Sequence, residues 1–382
     1  MSVHTTLLDF SVDPKVIKNE SQLLILATNI ENVLRDYLVN LKLMSTFSLD
    51  GGCYKVYTGD MGSIITLRIY DSGLITISME YLKGEDQQYL LTLEKYRQMG
   101  QNLRACGITR ETFLVPIKRG TFSKYYVTSD DRLIEYDIDN VLFEENSPFQ
   151  KVQVVHSKSL GNMLVLDDLQ NISEADLIYT ETLMARGQES YKDKDIVILG
   201  GGDGALLYEL LKEEPKNVIM LEIDEVVIRA CSKHLRSVCG DVLDTRSADN
   251  YQVGVCVSSN EIYLVVFLQI IVGDCMKSLD LFHKEGQKFD YIFGDLTDVP
   301  ITETSETWNF VKKYLELSFK VLKPTGKFMT HGCGACCTSA LQRFESYISS
   351  LKPSLAINKC QAFIPSFMEF WVFYQINFTK QE

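Results

Sequence analysis

Residues 195–210, DIVILGGGDGALLYEL, constrain this chain more than any other segment. Ile196–Leu199 is a short unbroken apolar run, the pattern of a parallel strand buried on both faces. Gly200-Gly201-Gly202-Asp203-Gly204 follows as a turn, and from Ala205 the apolar residues take helical spacing. Strand, glycine turn and helix together form a nucleotide-type binding element, because glycines let the backbone come close to a ligand. The spacing also satisfies G-x-G-x-x-A, the dinucleotide fingerprint. Asp203 conflicts with a dinucleotide. A carboxylate where a pyrophosphate would lie repels phosphate and attracts a cation. The segment therefore predicts an α/β domain in which Gly200 and Gly202 border a pocket for a positively charged ligand.

The 382 residues suffice for two or three domains. A net charge of −13 argues against nucleic acid or an anionic membrane as partner and suits cationic ligands. The ten cysteines are scattered without a disulfide framework, which predicts a reducing, cytoplasmic compartment. Met1–Phe10 lacks the pattern of a signal peptide, and the apolar run Ile262–Val272 is too short to span a bilayer.

Periodicity divides the chain at 117 and 172. Residues 1–117 predict an α+β domain, with helical spacing over 20–40 and 85–106 and strands at MSTFSL, CYKVYT and SIITLRIYDSGLITISMEYL. Asp71-Ser72-Gly73 reads as a hairpin turn. Residues 118–172 carry strand-sized runs split by turn residues and predict a small antiparallel β domain. Residues 173–382 alternate strands with helices, which predicts a parallel sheet covered on both faces and ligands at the carboxyl ends of its strands.

Acids stand at those ends in succession: Asp203 in the glycine turn, Glu222 closing VIMLEID, Asp274 closing IIVGD and Asp295 closing FDYIFGD. Glu222 follows the glycine turn by about 20 residues, the distance at which an acid grips ribose hydroxyls. A single strand-end acid usually caps the next helix. The succession points to a cationic adenosine derivative.

The segments EYDIDNVLFEENSPFQKVQVVHSKSLGNMLVLDD, ISEADLIYT, VILGGGDGALLYE, LEIDEVV, YIFGDLTDVP and PSFMEFWVFY resemble the polyamine aminopropyltransferases over nearly the whole chain. The amino-terminal part, including LRIYDSGLITI, is similar to the first domain of the spermine-forming members. The resemblance implies a Rossmann-like, methyltransferase-type catalytic domain, a central β domain, and an amino-terminal domain that makes a homodimer. It implies aminopropyl transfer from decarboxylated S-adenosylmethionine, a co-substrate rather than a cofactor, to spermidine. By the same resemblance Asp295 is the base and Asp203 holds a substrate ammonium. Glu222 binds ribose, Asp274 and Cys275 flank adenine, and Gln150 closes over the donor. Tyr179 and Glu369 serve the polyamine site. The competing readings are a methyltransferase and an inactive dimeric scaffold.

The sequence departs from the family pattern in three places. Phe367 stands where the spermine-forming members carry tyrosine, which removes a hydroxyl and keeps a ring. Asp298 in DLTDVP matches the acid with which spermidine-forming members hold the distal amine of putrescine, so putrescine is the alternative acceptor. Gly254–Ile270, GVCVSSNEIYLVVFLQI, interrupts the strand expected to lead to Asp274. Its ends fit codons containing GT and CAG, so it reads as an in-frame retained intron. If it is translated, Val265–Val272 is expected to replace the strand and 251–264 to loop out. The run His331-Gly332-Cys333-Gly334-Ala335-Cys336-Cys337 has no partner half with metal-ligand spacing, so these cysteines read as structural and no metal is expected.

Overall fold

The computed structural model describes residues 1–84, 86–120, 122–244, 253–259, 262–296 and 305–379. It forms two compact units, Met1–Lys124 and Tyr125–Glu382. Among the described residues no helix is long and apolar enough to cross a membrane.

The first unit is a six-stranded antiparallel sheet in the order Lys42–Leu49, Gly52–Thr58, Ile64–Tyr70, Leu74–Lys83, Ser2–Val12, Ile108–Gly120. Period-2 alternation builds it: Ile65, Leu67 and Ile69 point inward against Ile75, Ile77 and Met79, all fully buried. Gly73 closes the Asp71-Ser72-Gly73 turn at φ +87°, a conformation that favours glycine. The helices Glu20–Tyr37 and Leu93–Leu103 pack against this core, capped by Asn19 and Thr92. The second helix starts later than residue 85 because Thr92 supplies the cap. Residues 118–120 belong to this sheet rather than to a following domain, since Ile108–Gly120 pairs along Ser2–Val12.

The second unit opens with a short hairpin, Tyr125–Val127 and Leu133–Glu135. A four-stranded antiparallel sheet follows in the order Leu169–Ser173, Gly161–Leu166, Lys151–Ser157, Ile138–Asn146. The remaining chain makes an eight-stranded sheet: Val253–Ser259, Ile262–Val272, Asn217–Glu222, Asp195–Gly200, Phe289–Asp295, Leu322–Gly334, Glu369–Phe378, Leu355–Ile364. The five strands from Ile262–Val272 to Leu322–Gly334 are parallel, and both edges are antiparallel. Ile196 and Ile198 fill one hydrophobic core while Val197 and Leu199 fill the other. That two-sided burial explains why the run is apolar at every position.

The interrupted strand behaves otherwise than expected. Phe267–Val272 takes the place beside Asn217–Glu222, but Val253–Ser259 does not loop out. It folds back antiparallel on Ile262–Leu268 and becomes the new sheet edge. An extended segment beside an open edge satisfies its backbone groups by pairing.

Candidate active site

Three strand ends meet at one cavity. Register sets Gly200 beside Asp295 and Leu199 beside Leu221, so the glycine turn lies between Asp295 and Glu222. Gly200 has φ +86°, and a Cβ there would strike the backbone carbonyl of Asp295. A Cβ on Gly202 would come within 2.6 Å of Glu222 Oε2. The Asp203 carboxylate accepts from Ala205 N at 2.7 Å, which fixes it at the start of the helix Ala205–Leu211.

The wall of the cavity includes Gln150, Tyr179, Gly202, Asp203, Glu222, Asp295 and Phe367. Tyr179 Oη donates to Asp295 Oδ1 at 3.0 Å, and its ring packs edge-on to Phe367. Glu222 accepts from Gly202 N at 3.0 Å and from Asp224 N at 2.8 Å. Gln150 Nε2 donates to Asp224 Oδ2 at 3.1 Å, which joins the loop before Lys151 to the end of the Glu222 strand.

The electrostatics are those of a cation site. Burial, then repulsion from Asp295 and Glu222, pushes Asp203 up to about 7. Burial likewise pushes Glu222 up to about 7, against the pull of its backbone hydrogen bonds. Asp295 is raised by burial, partly offset by His331 and the Tyr179 hydroxyl. Crowded carboxyls like these gain from a cation, which neutralises their repulsion and replaces lost solvent.

The other expected residues lie elsewhere. Asp274 caps the helix Cys275–Lys284 through Met276 N at 2.9 Å. Gly273 N bonds Glu222 O at 2.7 Å, which keeps Asp274 next to the Glu222 strand despite the insertion. Cys275 is buried in the core on one face of the sheet, where burial pushes its thiol up to about 12, and neither residue borders the cavity. Glu369 does not border it either. Its carboxylate turns to Ser129, accepting from Oγ at 2.7 Å and from N at 3.1 Å. Asp298 lies outside the described residues.

The cavity also uses residues the sequence did not single out as site residues. His331 lies near the carboxyl end of the strand Leu322–Gly334, where the strand-end rule points. Its Nε2 donates to Leu296 O at 3.0 Å, and Trp371 Nε1 donates to His331 Nδ1 at 3.3 Å. Trp371 and Phe367 pack at 4.7 Å between ring centres with their planes tilted by 57°. Gln170 and Asn171 reach the wall from the four-stranded sheet, and no motif marks them.

This parallel sheet with acids at its strand ends defines a Rossmann-like, methyltransferase-type enzyme fold. Residues 176–382 match the Spermine/spermidine synthase domain, and residues 121–174 match the Spermidine synthase tetramerisation domain. The chain belongs to the spermine/spermidine synthase family, whose members transfer an aminopropyl group from decarboxylated S-adenosylmethionine. It is 27% identical over 248 residues to the polyamine aminopropyltransferase of Aeropyrum pernix, covering 64% of this chain and 71% of the relative. It is 27% identical over 253 residues to the thermospermine synthase ACAULIS5 of Arabidopsis thaliana, covering 65% and 67%. A spermidine synthase in complex with the transition-state analogue AdoDATO shares the fold at TM-score 0.53 and 21% identity, covering 69% of this chain and 82% of that one. The spermidine synthase of Thermotoga maritima does so at TM-score 0.51 and 19% identity, covering 69% and 81%.

Proposed function

We propose that the protein transfers the aminopropyl group of decarboxylated S-adenosylmethionine to spermidine, giving spermine and 5′-methylthioadenosine. The observation that carries the reaction is Asp295, hydrogen-bonded to Tyr179 and facing Asp203 across a cavity walled by aromatic rings. Preference for spermidine over putrescine rests on the similarity of the first unit to that of the spermine-forming members.

The acceptor amine has an ordinary pKa near that of lysine, about 10.4, so it arrives protonated and cannot attack. Asp295 takes that proton. Its raised proton affinity suits a base that must compete for a proton near neutral pH. The freed nitrogen lone pair forms the new N–C bond while the C–S bond breaks. The electron pair leaves with sulfur as a neutral thioether, so no general acid is needed. Asp203 holds an ammonium group close to the reacting carbon, Glu222 holds the ribose hydroxyls, and Gln150 closes over the donor. Tyr179, Phe367 and Trp371 offer ring faces to the methylenes and cationic amines of the acceptor. Glu369 joins them only by exchanging its Ser129 hydrogen bonds for an ammonium. Much of the rate enhancement comes from aligning nitrogen, carbon and sulfur.

We assign the protein to the cytoplasm, since its ten cysteines follow no disulfide framework. We further propose that it forms a homodimer through the first unit, whose edge strand exposes Met44 and Phe47. A solution mass checks the assembly. The deciding assay supplies decarboxylated S-adenosylmethionine with spermidine or putrescine and measures methylthioadenosine release. Release with spermidine supports the proposal, release with putrescine alone reassigns the acceptor, and no release with either overturns it.

A further inference from the structure

The backbone that carries Asp295 is tied down one carbonyl at a time. Gly294 O accepts from Thr330 Oγ1 at 2.8 Å, and Asp295 O accepts from Gly201 N at 3.1 Å. Both strand ladders then end. Pairing with Leu322–Gly334 stops at Gly294 and Thr330, and pairing with Asp195–Gly200 stops at Gly200 and Asp295. Leu296 O lies one residue past both, where a carbonyl needs a donor from elsewhere. His331 Nε2 supplies it at 3.0 Å.

We propose that His331 is a positioning residue for the transfer reaction: its ring extends the sheet by one hydrogen bond and fixes the backbone beside Asp295. The partners set its tautomer. Leu296 O can only accept, so Nε2 carries the proton. A neutral ring that donates from Nε2 has a bare Nδ1, and the Trp371 indole, which can only donate, fills it at 3.3 Å. Gly332 O also lies 3.0 Å from Nδ1. It would hold a proton there only on a charged ring, and that proton would oppose the indole N–H. The neutral ring is thus gripped at both nitrogens.

Asp295 is then held from two sides. Tyr179 donates to its carboxylate at 3.0 Å, and His331 fixes the chain just after it. The His331 and Tyr179 rings lie 5.9 Å apart between centres, so the two supports share one wall of the cavity. A general base must sit within hydrogen-bond reach of the proton it takes. A misplacement of about 1 Å costs about 10²-fold in rate. His331 governs that distance through the backbone. This role rests on the aminopropyltransferase reading, in which Asp295 is the base.

The test uses the full chain with isotope-labelled tryptophan. The sequence has two tryptophans, Trp308 and Trp371, so two indole N–H signals appear in the NMR spectrum, and Trp371→Phe tells them apart. His331→Ala should shift the Trp371 signal by more than its line width and leave that of Trp308, which does not border the cavity, in place. With decarboxylated S-adenosylmethionine and acceptor both saturating, His331→Ala should lower kcat about 10–100-fold with the KM for the donor nearly unchanged. His331→Gln returns an N–H near the place of Nε2 and should recover most of that loss. His331→Asn is too short to reach Leu296 O and should not. This pair decides the question even if His331→Ala fails to fold. An unmoved indole signal, a His331→Ala variant with the parent's kcat, or a glutamine variant no better than the asparagine one overturns the proposal. No methylthioadenosine from the parent chain instead overturns the aminopropyltransferase reading, and the role of His331 in that reaction falls with it.

Discussion

The two large sheets of this protein solve the same burial problem in opposite ways. In the first unit, strands alternate: Ile65, Leu67 and Ile69 are fully buried while Thr66, Arg68 and Tyr70 face partly outward. One face carries all the packing, and polar residues are spread along the other. In the catalytic sheet, Ile196 to Leu199 are buried on both faces, so polar residues are driven to the strand ends. Asp203, Glu222 and Asp295 collect there. A sheet covered on both sides therefore concentrates charge in one buried place, and the cost shows as carboxyls raised above their ordinary range. The first sheet disperses its charge and gathers no such cluster among its described residues.

The comparison breaks most visibly at Asp295. Asp295→Asn keeps the shape and removes the proposed base, so turnover should fall about 10²–10⁴-fold with donor binding little changed by calorimetry. Normal turnover would remove Asp295 from the mechanism.

Next is Phe367→Tyr, which adds a hydroxyl to the cavity wall. One hydrogen bond to a cation contributes about 1.5–3 kcal/mol, so KM for spermidine should fall at least tenfold with kcat nearly constant. An unchanged KM would show that the ring alone serves the acceptor.

The electrostatic cost has a sign that can be measured. Asp203 sits near 7 when folded, against about 3.9 in an unfolded chain. Between about pH 4 and 7 the folded state binds more protons, so stability declines as pH rises through that window and levels off above it. Asp203→Asn lacks this decline. Its melting temperature should exceed the parent's at pH 8 by about 2–4 °C, on the order of 1 kcal/mol, and the gap should close toward pH 4. A gap independent of pH would mean that Asp203 is not strained by its charge.

The smallest effect is expected at the sheet edge. Deleting 254–270 joins Val253 to Ile271, which sets Val253 in the place of Ile270 and Gln252 in that of Gln269 beside Met220 and Ile219. Register is kept, and an apolar, aggregation-prone edge is lost. Soluble yield should rise with activity preserved, and the melting temperature should stay within about 4 °C of the parent. Loss of folding would show that the hairpin supports the catalytic sheet.

Much of the catalytic sheet was legible because its signals are local. An apolar run, a glycine turn and a strand-end acid lie within a few residues of one another, and Asp203, Glu222 and Asp295 were found that way. The strand Ser2–Val12 was missed for a related reason. Its first two inward positions are His4 and Thr6, buried polar residues that blur the alternation, and Thr6 bonds Tyr96 at 3.0 Å, from far along the chain. Glu369 and Cys275 show the same limit from the other side. Both match site residues by motif, yet Ser129 captures the one and the hydrophobic core takes the other.

The sequence by itself determined the parallel sheet, the glycine turn and a charge pattern suited to a cationic nucleoside, since each depends on neighbours in the chain. Only the tertiary structure decided what depends on partners brought from a distance. It set His331 and Trp371 on the cavity wall, seated the inserted hairpin as a paired edge, and turned Glu369 to Ser129. The physical reason is that side-chain contact in three dimensions follows strand register and loop closure, which no local spacing encodes.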